Sequence, residues 1–307
     1  MLELLVSQAL NGIQLGVLLF LMAAGLTLVL GIMNVVNMAH GSLYMVGAYL
    51  AAQMTAVTGS FLLALPMAVL ATLVLGLVLE VATLRTLYQR DHLDQVLLTF
   101  GLILFFNEVV RVIWGPTALF VPVPEALDQE LEFLDGEIIY PAYRLAIIAV
   151  GLAVAAFLFW LIARTRVGML IRAGAANRDM VAALGVDIVR LNTLVFGLGA
   201  GLAGLAGVMA APILAVESGM GDGILILTFV VIVIGGIGSI RGALVAAVLI
   251  GVVDTMGRSL LPMILRELVD RQLASAIGPA VASMLIYILM AVVLTLRPQG
   301  LFPARTG

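Results

Sequence analysis

The chain of 307 residues contains no cysteine and no lysine, and only 11% of its residues are charged. Without cysteine, disulfide bonds, thiolate metal sites and cysteine nucleophiles are excluded. Without lysine, a P-loop is excluded, because that motif places a lysine on the nucleotide phosphates. If the protein uses ATP, another chain must therefore bind it. The net charge of −3 is too small to indicate a strongly charged partner such as nucleic acid.

Apolar residues make up 63% of the sequence, and the mean hydropathy is +1.22. Soluble globular chains are about half apolar and roughly a quarter charged. A single compact core of this size cannot bury so much apolar surface. The composition therefore predicts an integral membrane protein, and it excludes a soluble enzyme and a disordered scaffold.

Nine apolar segments have the character of membrane helices, since a bilayer core needs roughly 20 apolar residues in a helix. They are too long and too continuous to be the alternating strands of a barrel. Two neighbouring segments near the C-terminus are short, and they are either two crossings or the limbs of one re-entrant hairpin. The first segment has no basic region before it, so we expect it to be retained. The segments are 7–30, 41–58, 61–82, 96–114, 142–163, 192–215, 224–238, 242–257 and 277–296.

The sequence thus predicts a single transmembrane domain over 1–307, an all-α polytopic bundle of about 8–9 helices. Arginine placement predicts its orientation, because basic residues beside the spans favour the cytoplasm. The loop 164–191 and the loop containing Arg85 and Arg90 fall on one side, together with the tail containing Arg297 and Arg305. We expect that side to be cytoplasmic and the N-terminus to lie outside. Three arginines run against this pattern: Arg258, Arg266 and Arg271.

The segment 115–141 carries no basic residue and six acidic ones, so we expect it outside. Its four prolines indicate a loop, and Asp135-Gly136 is typical of a short hairpin turn. The loop is either a solvated cap or a docking surface for an extracytoplasmic partner. The acids are Glu125, Asp128, Glu130, Glu132, Asp135 and Glu137.

The densest polar run within the apolar segments lies at 31–44. Asn34, Asn37 and His40 have a spacing that would put them near one face of a helix. Gly41 and Ser42 follow, and a glycine there permits a turn or a close backbone approach. Polar breaks at membrane depth are tolerated where they face protein or a water-lined cavity. The run either lines a translocation path or caps two helices at a turn.

A second run of the same kind lies at 234–243 and contains Gly235, Gly236, Gly238 and Ser239. Paired glycine-interrupted segments in the two halves of a chain indicate a transport pathway. We therefore predict broken or re-entrant elements near 31–44 and 234–243. The alternative is that these glycines permit tight helix packing, which is also our interpretation of the small residues in 196–210.

Three charged residues lie near span ends. Glu108 and Arg111 are three residues apart on one helix, which predicts an interfacial ion pair. Asp254 stands alone in the sequence. It is either an interfacial residue or a proton carrier.

The loop 164–191 contains a short predicted helix. Asn177 is a suitable N-cap and Gly185 a suitable C′ residue. Met180, Val181 and Leu184 are predicted on one side of that helix. A helix this short is not stable alone in water, so it packs either on its own protein or in a groove of a cytoplasmic partner.

Four stretches carry a family resemblance: 37–48, 172–185, 234–243 and 297–302. On these residues the chain resembles, over nearly its whole length, the LivH-type permeases of branched-chain amino-acid ABC transporters. Many members carry an acid after the His-Gly pair, where this chain has Ser42.

The resemblance implies a multi-pass permease of the bacterial inner membrane that imports branched-chain amino acids by alternating access. It implies a LivM-type second permease, two cytoplasmic ATPases, an extracytoplasmic solute-binding protein and surrounding lipid as partners. The chain itself would need no cofactor or metal and would not be an enzyme. The coupling helix that contacts the ATPases would lie at 172–185, including Arg172, Asn177, Met180, Val181, Leu184 and Gly185.

Three alternatives remain, the first from the resemblance and the other two from the residues. Relatives of the same superfamily import urea, short amides or other amino acids. An ion-coupled secondary transporter would place carboxylates near mid-membrane, and these segments contain almost none. A passive channel would need only polar or small linings.

Overall fold

The structure is a computed structural model that describes residues 2–88, 90–133, 138–268 and 270–302. Eleven α-helices account for most of these residues, which confirms the predicted all-α fold. The helices are α1 Leu2–Met33, α2 His40–Thr58, α3 Phe61–Ala82, α4 His92–Trp114, α5 Ala142–Arg164, α6 Arg166–Ala176, α7 Arg178–Ala183, α8 Ile188–Ala210, α9 Met220–Gly235, α10 Ile240–Leu268 and α11 Arg271–Leu296.

Two short strands form an antiparallel hairpin in the acidic loop. Strand β1, Glu130–Phe133, pairs with strand β2, Ile138–Pro141, and Glu130 lies opposite Pro141. The hairpin that we expected around Asp135-Gly136 is present in its two strands, while its turn lies outside the described residues. A second pairing joins Leu119 to Val216, so the acidic loop is tied to the segment that follows α8.

Seven helices within the described ranges are long and apolar enough to cross a membrane: α1, α3, α4, α5, α8, α10 and α11. The two other predicted segments are α2, of 19 residues, and α9, of 16 residues. Helix α9 is shorter than the roughly 20 residues that a crossing needs. Helix α10, in contrast, has 29 residues. The segment 224–257 therefore belongs to a partial helix and to a full-length one that continues to Leu268, so of the two alternatives the re-entrant hairpin of two short limbs is not what forms.

Helices α1 and α8 form the centre of the bundle. In their most apolar stretches 83% and 78% of the residues are buried, against 22% in each of α3, α4, α5 and α11. The two central helices meet at Gly25 and Gly199, where a Cβ on Gly25 would lie 2.8 Å from the Gly199 carbonyl oxygen. Lipid gives helices no hydrophobic reason to associate, so small residues that permit close packing hold them together. The packing role predicted for 196–210 is confirmed here.

Arginine-bearing segments lie together at one end of the bundle. Arg85 Nη2 contacts Thr193 Oγ1 at 3.0 Å, which joins the loop after α3 to the start of α8. The backbone N–H of Leu301 donates to the Ile234 carbonyl oxygen, which brings the tail to the same end. We call this end, formed by 83–88, 90–91, 165–187, 236–239 and 297–302, the Arg-rich end. Arg258 and Arg266 lie toward the opposite end, on the second half of α10.

Candidate functional site

The break between α1 and α2 returns the chain into the bundle. Residues 34–39 are not helical, and Asn34 adopts a φ of +52°. His40, the first residue of α2, places Nε2 3.2 Å from the carbonyl oxygen of Met22. Met22 lies about 16 Å along α1 from its last residue, Met33, so α2 begins within the bundle. A carbonyl oxygen only accepts, so Nε2 of His40 carries the proton. The predicted break near 31–44 is confirmed.

The polar residues of this run do not share a helical face, and that prediction is wrong because 34–39 is not helical. Asn34 is exposed, whereas Asn37, His40 and Ser42 are buried. The Oδ1 atom of Asn37 accepts a hydrogen bond from the Ala39 N–H at 3.0 Å. Ser42 Oγ has no hydrogen-bond partner among the described residues. A buried hydroxyl without a partner is costly, which makes Ser42 the exceptional side chain of this run.

The first turns of α2 and α9 are in backbone contact. A Cβ on Gly41 would lie 2.4 Å from the Gly221 carbonyl oxygen, and a Cβ on Gly221 would lie 2.1 Å from that of Gly41. Neither position has room for a side chain. The N-terminal ends of two partial helices therefore meet inside the bundle, and local turns satisfy N–H groups there, as Ser42 N–H donates to the Ala39 carbonyl oxygen and Asp222 N–H to that of Gly219.

Helix α9 is preceded by a second inward-running segment, 211–219. Within it Ser218 Oγ donates to the carbonyl oxygen of Asn107, which lies about 10 Å before the end of α4. Gly219 adopts a φ of +87°, and α9 begins at the next residue. The side chain of Asp222, in the first turn of α9, is exposed. The break that corresponds to 34–39 is thus 211–219. Sequence analysis missed it, although Glu217-Ser218-Gly219 interrupts the apolar pattern.

The predicted run at 234–243 forms the turn between α9 and α10. Gly236 and Gly238 have φ values of +100° and +81°. Ser239 caps α10, since its Oγ accepts from the Gly242 N–H at 3.1 Å. The carbonyl oxygen of Gly235 accepts a hydrogen bond from the Phe302 N–H at 3.1 Å, so the C-terminal tail is bonded to the turn. The predicted break exists, but it lies at the Arg-rich end and not beside His40.

This turn approaches the end of α1. A Cβ on Gly31 would lie 3.4 Å from the Cα of Gly238. The two polar runs predicted from the sequence therefore come close to each other at the Arg-rich end of the bundle, where Gly31 lies beside Gly238. Their buried polar residues are held apart, because 34–44 continues inward to Gly221 while 235–239 stays at the end.

Helix α7 is short and largely exposed at the Arg-rich end. Asn177 caps it, with Oδ1 accepting from the Met180 N–H at 2.9 Å, and Gly185 follows it with a φ of +85°. Both predicted caps are confirmed. Met180 and Leu184 are 59% and 76% exposed, whereas Val181 is 5% exposed. The prediction that these three side chains share one side is wrong: Val181 anchors α7 to its own protein. Arg172, on α6, is exposed.

A buried carboxylate at the Arg-rich end was missed by sequence analysis. Glu80, near the end of α3, is fully buried. It pairs with Arg85 at 3.2 Å and accepts hydrogen bonds from the hydroxyls of Tyr88 and Thr193. Burial, and then the hydrogen bond to Glu80, raise the pKa of the Tyr88 phenol. The available signal was a glutamate at the end of a long apolar segment with an arginine five residues later.

Two further charged pairs lie near the opposite end. Glu108 and Arg111 are 3.0 Å apart and exposed, which confirms the predicted ion pair. Asp254 does not stand alone, because Arg258 Nε lies 2.8 Å from its Oδ1. Asp254 is buried and Arg258 half exposed, so the pair reaches from the packed interior toward the surface. Across the described ranges, no three His, Asp or Glu residues are grouped closely enough to hold a metal ion.

Comparison with known proteins agrees with this architecture. The family model described as "Branched-chain amino acid transport system / permease component" matches residues 8–294. The permease BraD of Pseudomonas aeruginosa, named for high-affinity branched-chain amino acid transport, is 29% identical over 77% of this chain and 81% of its own length. The protein LivH of Methanocaldococcus jannaschii is 29% identical over 74% and 73%.

The LivH permease of Escherichia coli K12 is 27% identical over 78% of this chain and 81% of its own length. No solved structure matches the chain. The seven long apolar helices and the match over residues 8–294 agree in describing a multi-pass protein of the bacterial inner membrane. The chain belongs to the permease family of branched-chain amino acid transport systems, which confirms the resemblance to LivH-type permeases.

Proposed function

We propose that this chain is a permease subunit of an ABC importer for branched-chain amino acids, driven by ATP hydrolysis on partner subunits. Its relatives BraD and LivH carry branched-chain amino acid transport in their names. The observation that carries the proposal is α7, a capped helix whose Met180 and Leu184 stand exposed at the Arg-rich end. A chain without lysine has no P-loop, so transport driven by ATP needs such a contact with an ATP-binding partner.

We place the translocation path beside the crossing of α2 and α9. This crossing brings buried His40 and Ser42, which flank Gly41, near the first turn of α9, where Asp222 is exposed, and buried Asn37 lies three residues before His40. A carboxylate exposed to lipid at that depth is expensive, so Asp222 is expected to face water or a second subunit. This supports a path between two permeases, of which the partner would be a LivM-type chain.

The inner mouth of the path is assigned to the region where the two polar runs approach each other. Asn34 is exposed there, and Gly238 lies beside Gly31. Gly235, Gly236 and Ser239 shape this mouth through the turn that the tail seals. In this proposal Ser42 faces the path and supplies a hydroxyl in place of the acid that many relatives carry.

The outer face would receive an extracytoplasmic solute-binding protein. A cleft of about 400 Å³ lies between the acidic loop and the segment after α8. Asp128, Glu130 and Arg144 line it, with Pro212 on the opposite wall. The segment continuing from Pro212 leads directly to Gly219 and α9, so docking at this cleft has a short route to the path.

Two ATPases would bind at the opposite face, with the exposed side of α7 laid into a groove of one of them. Closure of the ATPase pair would move α7 and favour one access state over the other. Such a shift requires each ligand to bind the two states with different affinity. The chain carries out no bond chemistry in this scheme and is not an enzyme.

The test is uptake of labelled leucine into vesicles that contain the complex purified through a tag on this chain. We expect uptake with ATP inside and no ion gradient, and competition by isoleucine and valine. Uptake that requires a proton or sodium gradient and ignores ATP would identify a secondary transporter. Equilibration without ATP or a gradient would identify a channel. Competition by urea or short amides, with none by leucine, would reassign the substrate.

A further inference from the structure

The Glu80 cluster, formed by Glu80, Arg85, Tyr88 and Thr193, joins three parts of the Arg-rich end. Glu80 is on α3, Arg85 and Tyr88 are in the loop after it, and Thr193 is on α8. Arg85 Nη2 lies 3.2 Å from Glu80 Oε2 and 3.0 Å from Thr193 Oγ1, and Thr193 Oγ1 lies 2.8 Å from Glu80 Oε2. The Tyr88 hydroxyl donates to the other oxygen, Oε1.

These contacts satisfy a carboxylate that is 0% exposed. A buried charge that loses one partner is strongly destabilised, so the cluster holds its members in one arrangement. Hydrogen bonds in such a network also reinforce one another in a poorly solvated site. The loop after α3 is fixed from its far side as well, because Gln95 Nε2 on α4 donates to the carbonyl oxygens of Leu87 and Arg90, each at 3.2 Å.

The cluster touches α7 through Tyr88. The guanidinium carbon of Arg178, the first residue of α7, lies 5.8 Å from the centre of the Tyr88 ring. This is within the range of a cation–π contact. A continuous line of contacts therefore runs from α7 through Arg178 and Tyr88 to Glu80, and from Glu80 to α3 and α8.

Close packing between α3, α8 and α2 extends this line of contacts to α2. A Cβ on Gly204 of α8 would lie 2.7 Å from the Cβ of Thr72 on α3, and a Cβ on Gly47 of α2 would lie 2.7 Å from the Cα of Gly204. Packed backbones of this kind shift as rigid units and do not deform gradually. A displacement of the inner ends of α3 and α8 is therefore passed to α2, whose first turn meets α9.

We infer that the Glu80 cluster is the joint through which α7 moves the transmembrane helices, with Glu80, Tyr88 and Arg178 as positioning residues. The inference rests on the proposed function, because it assigns the route by which an ATPase docked on α7 acts on the path. A purely structural role for the cluster would predict only a loss of stability when it is cut.

The first experiment measures the distance between α7 and α3 and does not depend on transport. Because the chain has no cysteine, spin labels can be placed through Ala183→Cys on α7 and Ala82→Cys on α3, both exposed positions. We expect one narrow distance distribution in the parent and a clearly broader one after Arg178→Gln or Tyr88→Phe. Tyr143→Phe is the matched control, since it removes a buried hydroxyl bonded to the Met209 carbonyl far from α7. Identical distance distributions in the parent and in all variants would contradict the inferred role of the Glu80 cluster.

The second experiment separates coupling from folding in the purified complex. With Tyr88→Phe, which lies outside the proposed ATPase-binding segment 172–185, we expect ATPase subunits to co-purify at the parent level and basal ATP hydrolysis to stay within about twofold. Leucine uptake per ATP should fall about 5- to 20-fold, at the lower end of known coupling effects. Uptake, hydrolysis and assembly falling together, or uptake per ATP unchanged, would reject the inference. If the parent complex takes up leucine without ATP, the proposed function fails, whatever the label distances show.

Discussion

Gly41 in α2 and Gly221 in α9 exclude one another's side chains, because a Cβ on Gly41 would lie 2.4 Å from the Gly221 carbonyl oxygen and a Cβ on Gly221 2.1 Å from that of Gly41. The two residues are 180 positions apart in the sequence. Each follows a segment that runs into the bundle: 34–39 precedes Gly41, and 211–219 precedes Gly221. Their contact fixes the depth at which both partial helices begin. Both N-terminal ends thereby stay inside the bundle, where the N–H groups of Ser42 and Asp222 donate to the carbonyl oxygens of Ala39 and Gly219.

We predict that Gly221→Ala is destabilising, because the added methyl group would meet the Gly41 carbonyl oxygen at 2.1 Å. Overpacking of this kind costs about 1–3 kcal/mol of unfolding free energy, and here it also displaces α2 from α9. Gly223→Ala, two residues later, is the control, since no heavy atom lies within 4 Å of its Cβ position. Thermal unfolding in detergent and leucine uptake measure both effects. Equal stability of the two variants would contradict the contact.

Leu184→Asp is expected to weaken binding of the ATPase subunits while leaving insertion and stability intact, because Leu184 is 76% exposed. A single anchor at the centre of an interface contributes about 2 kcal/mol or more, so co-purification should fall at least tenfold. Val181→Ala is the contrasting variant, since Val181 is buried. It should lower the melting temperature and retain the ATPases. Full co-purification with Leu184→Asp would mean that α7 does not dock.

Arg258→Gln should destabilise the protein by about 1–3 kcal/mol, because it leaves the buried Asp254 carboxylate without its partner. Adding Asp254→Asn to the same chain should restore much of the loss, which a double-mutant cycle in thermal unfolding will measure. If Asp254 instead carries protons for transport, Asp254→Asn alone will abolish uptake and a pH gradient will drive uptake in the parent. We expect neither.

Stability at alkaline pH should depend on Tyr88. Its pKa is raised in the folded protein by burial and by the hydrogen bond to Glu80, relative to the ordinary value of 10.0. The folded state therefore holds a proton that the unfolded state releases above pH 10.0, so this contribution is complete below that pH and is lost as the pH rises further. Tyr88→Phe should show a shallower loss of melting temperature above that pH. Tyr287→Phe, which removes an exposed hydroxyl, should follow the parent.

Much of the fold was predictable because each membrane helix forms its backbone hydrogen bonds within itself and is marked in the sequence by a long apolar run. All nine predicted segments contain a helix, and α3 begins and ends as predicted. The caps of α7 at Asn177 and Gly185 were predictable for the same local reason, since a cap depends on residues a few positions away.

The candidate site was predicted only in part. Asn37, His40 and Ser42 were identified because polar groups are rare in apolar segments, but their spacing was interpreted as helical where the backbone is not. The segment 211–219 and Asp222 were missed because the polar interruption at Glu217-Ser218-Gly219 is only three residues long and follows a long helix of small residues. Glu80 was missed although Arg85 follows it by five residues, because its contact with Thr193 joins residues 113 positions apart.

By itself the sequence determined the membrane class, the positions of the spans, the absence of a P-loop and the caps of α7, all of which depend on composition or on neighbours within one helix. Only the tertiary structure decided that α2 starts beside Met22, that Gly41 meets Gly221, that Val181 is buried while Leu184 is not, and that Glu80 binds Thr193. The physical reason is the same in each case. These contacts join backbone or side-chain atoms on different helices, and their distances follow from how the helices pack, which hydropathy does not encode.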